Sequence, residues 1–274
     1  MFRGDVTRQS VPLVLALSSP GNHALRERLM HALAFSCVQQ GGRVLLIERG
    51  NLGSSCGRGV LTPAGEELVG FPGTLMRDPV GILYAGLEEA TAADIYVALD
   101  MVSGVPARFD LVLLNVSGNA PEELFMASLA QRVLILTDAT SRSLPLVSGF
   151  VESLATRHQQ RHFTLAVDAD RQQAHNFYRE LLNDQALLQV ECELLQGVPS
   201  ALGDDTVSLQ AFSQTDEAAA FLDSVQQEPQ KLMPRGGLQL FWRSAMFCNV
   251  CTLRLCRTLM NAGQVLEVCP VQKF

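Results

Sequence analysis

Residues 18–27 read Ser18-Ser19-Pro20-Gly21-Asn22-His23-Ala24-Leu25-Arg26-Glu27. They follow a short apolar run and precede a helical pattern, which is where a phosphate-binding loop lies in an α/β protein. Such a loop needs glycines so that consecutive backbone N–H groups wrap phosphate oxygens. It also needs a lysine for the β- and γ-phosphates and a serine or threonine for magnesium. Here there is one glycine, a proline that removes a donor, and no lysine, because the chain's two lysines are Lys231 and Lys273. Arg26 is within reach of a phosphate, but Glu27 stands where the magnesium hydroxyl belongs. By its own physics this is not a working phosphate loop. Residues 18–22 then have two readings: a tight turn of small residues capping the next helix, or a remnant pocket holding a phosphate at the helix N-terminus.

Three other groups carry chemistry-bearing residues. Asn115, Ser117 and Gly118 end a second apolar run and read as a strand-to-loop exit, with a ligand site or contact to a protein partner as the alternatives. Asp168 and Asp170 read as a solvated loop, since nothing in the sequence brings a nucleophile near them. The C-terminus carries Cys248-x2-Cys251-x4-Cys256-x12-Cys269. Four thiols at short spacing hold zinc or an iron–sulfur cluster in a reducing compartment. Phe241, Cys248, Cys251, Leu255 and Leu259 also follow helical spacing, so the same thiols read as small core residues, and no metal is assigned. The five histidines (His23, His31, His158, His162 and His175) show no metal spacing and receive no role.

The elements that must position these residues alternate along the chain. Strands are expected at 11–17, 43–48, 81–84, 109–116, 132–137, 162–167 and 188–194. Helices are expected at 24–40, 92–103, 121–129, 145–154, 172–182, 218–225 and 238–260. Gly41-Gly42 stops the first helix, and Pro-Glu-Glu at 121–123 opens a later one. Apolar strands separated by helices predict a doubly wound, mainly parallel α/β sheet with helices on both faces. Ligands in such sheets bind at the carboxyl ends of the strands. Residues 1–227 are read as the α/β domain, 228–237 (EPQKLMPRGG) as a polar linker, and 238–274 as an amphipathic helix with a cysteine-containing tail.

With 274 residues, 47% hydrophobic and 18% charged, the chain can bury a sizeable core. A net charge of −7 supplies no global field for phosphates, so nucleic acid is not expected as a ligand. Seven cysteines, an odd number, do not form a secreted disulfide framework. No apolar run approaches the roughly 20 residues of a membrane span, and the N-terminus lacks a signal-peptide pattern. A cytoplasmic protein is expected.

Five segments resemble, in order and spacing, the MinD/ParA family of deviant-Walker ATPases, and within it the FlhG-type (FleN) regulators of flagellar number and placement. They are VLALSSPGN…LAFSCVQQGGRVLLIERGNLG (14–53), FDLVLLNVSGN (109–119), RVLILTDATSRSLPLVSGFVESL (132–154), HFTLAVDAD (162–170) and LLQGVPS (194–200). The resemblance implies a P-loop NTPase-like sheet. It also implies a short C-terminal amphipathic helix at GGLQLFWRSAMF (236–247), whose Leu238, Phe241, Trp242, Met246 and Phe247 suit a partner or a membrane surface.

It does not imply activity. The family's lysines are missing, the aspartates closing its second strand become Glu48-Arg49-Gly50, and its magnesium-holding aspartate becomes Asn115. The asparagine that faces adenine in the family falls at Asp168. Phosphoryl transfer consists mostly of those charges. The expectation is therefore a pseudo-ATPase with a remnant pocket of Ser18, Ser19, Gly21, Asn22, Arg26, Glu48, Asn115 and Asp168, and no resident cofactor. It would act as a protein-binding regulator or scaffold of a bacterial polar or envelope machine, as a monomer or a nucleotide-independent dimer. Its partner would be a catalytic paralogue or a flagellar or envelope component, and it would be cytoplasmic or peripheral at the inner membrane. Two alternatives stay open: a weak ATPase completed by a partner's lysine, and a zinc or iron–sulfur protein using the C-terminal thiols.

Overall fold

A strand apolar at nearly every position is stable only when both of its faces are covered. β1 (Leu13–Ser18), β2 (Val44–Arg49) and β6 (Leu111–Val116) are of this kind. In the computed structural model they lie together at the centre of one sheet. The structure describes residues 12–20, 23–50, 52, 61–64, 68–104, 109–118, 120–185 and 190–195. The remaining strands are β3 (Thr62–Pro63), β4 (Thr74–Arg77), β5 (Leu83–Leu87), β7 (Arg132–Asp138), β8 (His162–Asp168) and β9 (Glu191–Leu195). The nine strands run in the order β3-β4-β5-β2-β6-β1-β7-β8-β9. From β5 to β9 every neighbouring pair is parallel. β3 and β4 are antiparallel additions at one edge.

Parallel steps need long crossovers; β2 reaches β5 by way of β3 and β4, and the others use helices. Among the described residues these are α1 (His23–Gln39), α2 (Ala92–Gly104), α3 (Pro121–Ser128), α4 (Ser143–His158) and α5 (Arg171–Gln185). Strand alternation then separates two cores. Val14, Ala16, Leu45, Ile47, Val112 and Leu114 face α2 to α5, where Ile95, Leu124, Phe150 and Phe177 are buried. Leu15, Leu17, Leu46, Leu113 and Leu134 face the other way, where α1 contributes Leu29, Met30, Leu33 and Cys37. The expected doubly wound, mainly parallel sheet is the one observed.

α1 ends as its sequence demands. Gly41 has φ +83°, and Gly42 N–H donates to the Cys37 carbonyl at 2.9 Å, closing the last turn. The antiparallel edge is not among the elements expected from the sequence: β5 begins two residues beyond the strand expected at 81–84, and β4 was unmarked. The TLMR of β4 is too short to show a period, and its pairing with β5 is set by the turn at 78–82. There the Asp78 carboxylate accepts from the N–H groups of Val80, Gly81 and Ile82 at 3.0, 2.8 and 2.9 Å. The linker at 228–237, the helices expected at 218–225 and 238–260, and the thiols Cys248, Cys251, Cys256 and Cys269 lie outside the described residues.

Candidate functional site

The carboxyl ends of β1, β2 and β6 adjoin one another at the middle of the sheet, beneath the start of α1. Parallel register sets Glu48 opposite Asn115, with Leu17 opposite Asn115 on the other side. Alternation from Leu46 and Leu113 puts both polar side chains on the α1 face. Asn115 Nδ2 donates to Glu48 Oε2 at 3.3 Å. Both residues are buried, Glu48 4% and Asn115 6% exposed. At the strand-to-loop exit read from the sequence, Asn115 thus also holds a buried carboxylate across two strands.

Arg26 enters from above. It is the fourth residue of α1 and is only 3% exposed. Its Nη1 donates to the Val116 carbonyl at 3.1 Å, at the very end of β6. Burial pulls the guanidinium below its ordinary value, while Glu27, Glu123 and Glu48 pull it back up. Arginine stays protonated through such a shift, so one cation sits here among carboxylates. Glu123, in the first turn of α3, is 8% exposed and accepts a short hydrogen bond from the Ser117 hydroxyl. Beside it Glu122 forms an ion pair with Arg49 at 3.5 Å, tying the end of β2 to the same helix. Glu123 was not anticipated as a site residue. Its signal was present in the sequence, an acid seven residues beyond Val116 in a helix-opening Pro-Glu-Glu, but it reads equally as an acid favoured by the helix dipole.

Of the expected pocket, Arg26, Glu48 and Asn115 adjoin one another, and Ser18 and Ser19 stand at the carboxyl end of the neighbouring β1. Ser18 and Ser19 are buried, and among the described residues Ser19 Oγ and Asn115 Oδ1 have no hydrogen-bond partner. Gly21 and Asn22 lie outside the described residues. Asp168 is not part of the cluster. It ends β8, with β1 and β7 between that strand and β6, and it sits in register with Asp138 of β7. Asp170 is exposed and accepts from the Gln173 N–H at 2.9 Å, so it caps α5. The histidines also gain particulars: His162 opens β8 and pairs with Glu191 of β9 at 2.9 Å. Among the described residues no group of three or more His, Cys, Asp or Glu is arranged to hold a metal ion.

A fold of this kind raises the question of magnesium and ATP. The residues present do not fit them. A triphosphate needs a cationic floor, and the cation here is turned into the sheet, onto a carbonyl and towards Glu48 and Glu123. Two buried carboxylates against one buried guanidinium repel polyphosphate. The magnesium position is no better served, with Glu27 for the hydroxyl and a neutral Asn115 for the carboxylate.

No family profile matches this chain, and no curated protein is similar enough to match it. Solved structures do match. The MinC:MinD cell division protein complex of Aquifex aeolicus aligns at 15% identity and TM-score 0.53, covering 80% of this chain and 99% of that one. Cobyrinic acid a,c-diamide synthase of Mycobacterium smegmatis, solved with a bound ATP analogue and magnesium, aligns at 17% identity and TM-score 0.55, with 79% and 96% covered. A ParA family ATPase of Chlorobium tepidum aligns at 10% identity and TM-score 0.53, with 85% and 98% covered. The fold is that of the MinD/ParA-type P-loop ATPases.

Proposed function

We propose that this chain uses the MinD/ParA fold without its chemistry, as a nucleotide-independent, protein-binding regulator or scaffold of the FlhG-like type. The observation that supports this reading is the Arg26–Glu48–Asn115 cluster where a phosphate-binding site would lie. Preserved strands and an emptied set of phosphate contacts are what selection for a surface, rather than for a reaction, leaves behind. The partner is a protein, either a catalytic paralogue or a component of a bacterial polar or envelope machine such as the flagellum. The chain works as a monomer or as a dimer that forms without nucleotide, in the cytoplasm or at the inner face of the membrane. No helix among the described residues is long and apolar enough to cross a membrane.

One observation favours a second reading. Among the described residues the buried Ser19 hydroxyl and Asn115 Oδ1 lack partners, as they would in a nucleotide site that another protein completes with a lysine. Calorimetry with ATP and ADP, with and without magnesium, separates the two. The scaffold reading expects no heat and no thermal stabilisation at millimolar nucleotide. Micromolar binding would overturn it, since a ligand at a hundred times its Kd stabilises by about 2.7 kcal/mol. Binding that appears only with a partner present would establish the second reading. Zinc or iron–sulfur chemistry at Cys248, Cys251, Cys256 and Cys269 is tested by metal content after anaerobic purification, and colourless, metal-free protein would remove it.

A further inference from the structure

A cation in the first turn of a helix is unfavourable twice over. The positive end of the helix dipole repels it, and burial strips its water. Arg26 accepts both penalties at 3% exposure. Something must offset them, and the structure shows what does. The Val116 carbonyl of β6 accepts from Nη1 at 3.1 Å. Glu48 of β2, itself held by Asn115 of β6, and Glu123 of α3, itself held by Ser117, supply the negative charge together with the neighbouring Glu27. The dependence is mutual. Glu48 and Glu123 are 4% and 8% exposed, and a buried carboxylate without a compensating cation is among the costliest groups in a protein. One guanidinium therefore joins α1, β2, β6 and α3 at the carboxyl ends of the central strands.

We propose that Arg26 is a built-in counter-ion. It supplies from within the chain the positive charge that the buried carboxylates at these strand ends require, and so holds the four elements in one arrangement. This deepens the scaffold reading, because a partner surface assembled around the strand ends would then be present at all times rather than on nucleotide binding. It also explains why an arginine serves. A guanidinium spreads its donors in a planar fork and reaches a carbonyl and carboxylates together, whereas an ammonium is a single point of charge.

The test is a mutant cycle on the full chain in the absence of nucleotide, read as the melting temperature. Arg26→Met removes the cation and keeps an apolar stem, while Glu48→Gln with Glu123→Gln removes the buried charges. Losing one side of a buried pair should lower Tm by roughly 10 °C in a chain of this size, for Arg26→Met alone. The triple variant should regain more than half of that loss, because no buried charge is then left unpaired. An Arg26→Met loss that is just as large in the Glu48→Gln/Glu123→Gln background would mean that Arg26 only fills space, and would overturn the proposal. If Arg26→Met is insoluble, the triple variant decides: soluble, folded protein supports the counter-ion, and insoluble protein beside a wild-type-like Glu48→Gln/Glu123→Gln variant overturns it. The two readings fail separately. Wild-type chain that binds magnesium and ATP would sink the scaffold reading and leave this cycle standing, while an additive cycle would sink the counter-ion and leave the scaffold.

Discussion

Asp138 shows how a single carboxylate can organise a strand end. It accepts from the Thr140 N–H at 3.2 Å, from the Thr140 hydroxyl at 2.7 Å and from the Ser143 hydroxyl, which opens α4. The Ser143 bond, ahead of those from Thr140, holds its carboxyl below the ordinary carboxylate value although burial works against it. A carboxylate whose folded pKa is depressed stabilises the fold above its unfolded pKa, and that stability is lost as pH falls through the folded one. Asp138→Asn should therefore destabilise the fold at pH 7 by about 1 kcal/mol once solvent screening is allowed for, seen as a lower Tm. The difference from wild type should shrink as pH drops below about 4, the unfolded carboxylate value. Melting curves at pH 7 and pH 3 check this, and an undiminished gap at pH 3 would remove the carboxylate's charge from the explanation. Arg26 is the opposite case, a charge whose neighbours rather than the solvent decide its worth.

At the scale of elements, the antiparallel edge and α1 carry the least redundancy. β4 meets β5 where Gly73 passes so close that a Cβ there would lie 2.4 Å from the Gly86 carbonyl oxygen. Gly86 stands in register with both Thr74 of β4 and Glu48 of β2, so pushing on it displaces the strand beside the site. Gly73→Ala should cost about 1–3 kcal/mol, the ordinary penalty for forcing atoms into a filled space. Urea denaturation measures it, and a wild-type midpoint would show that β4 yields without disturbing β5. The edge was hard to see beforehand because its two short strands take their pairing from the Asp78 turn and not from a period of their own. The longer parallel strands were legible for the opposite reason, since burial on both faces leaves an unbroken apolar run in β1, β2, β6, β7 and β8.

For the whole molecule, charge is the property that separates partners. The chain carries 21 basic and 28 acidic residues, and only two of the basic residues are lysine. Nonspecific association with duplex DNA is one kind of binding on which this balance bears. Binding of that kind depends on neutralising phosphates and releasing their counterions, which a net charge of −7 opposes. Duplex DNA should therefore not be retarded by about 10 µM protein in roughly 0.1 M salt. A gel shift whose affinity falls steeply with added salt would show a local basic track that outweighs the net charge.

The sequence by itself determined the fold class, a mainly parallel sheet and the absence of a lysine-bearing phosphate loop. Each of these depends on local composition: apolar runs, their spacing, and which residue types are missing. It also named Ser18, Ser19, Arg26, Glu48 and Asn115 together, through the rule that ligands meet the carboxyl ends of strands. Only the tertiary structure decided what those residues do to one another. The register of β2 against β6 joins Glu48 to Asn115, α1 sets Arg26 on the Val116 carbonyl, and α3 brings in Glu123 while Asp168 stays beyond β1 and β7. A buried charge takes its meaning from neighbours distant in the chain, because the low-dielectric interior makes each pairing strong and each omission costly.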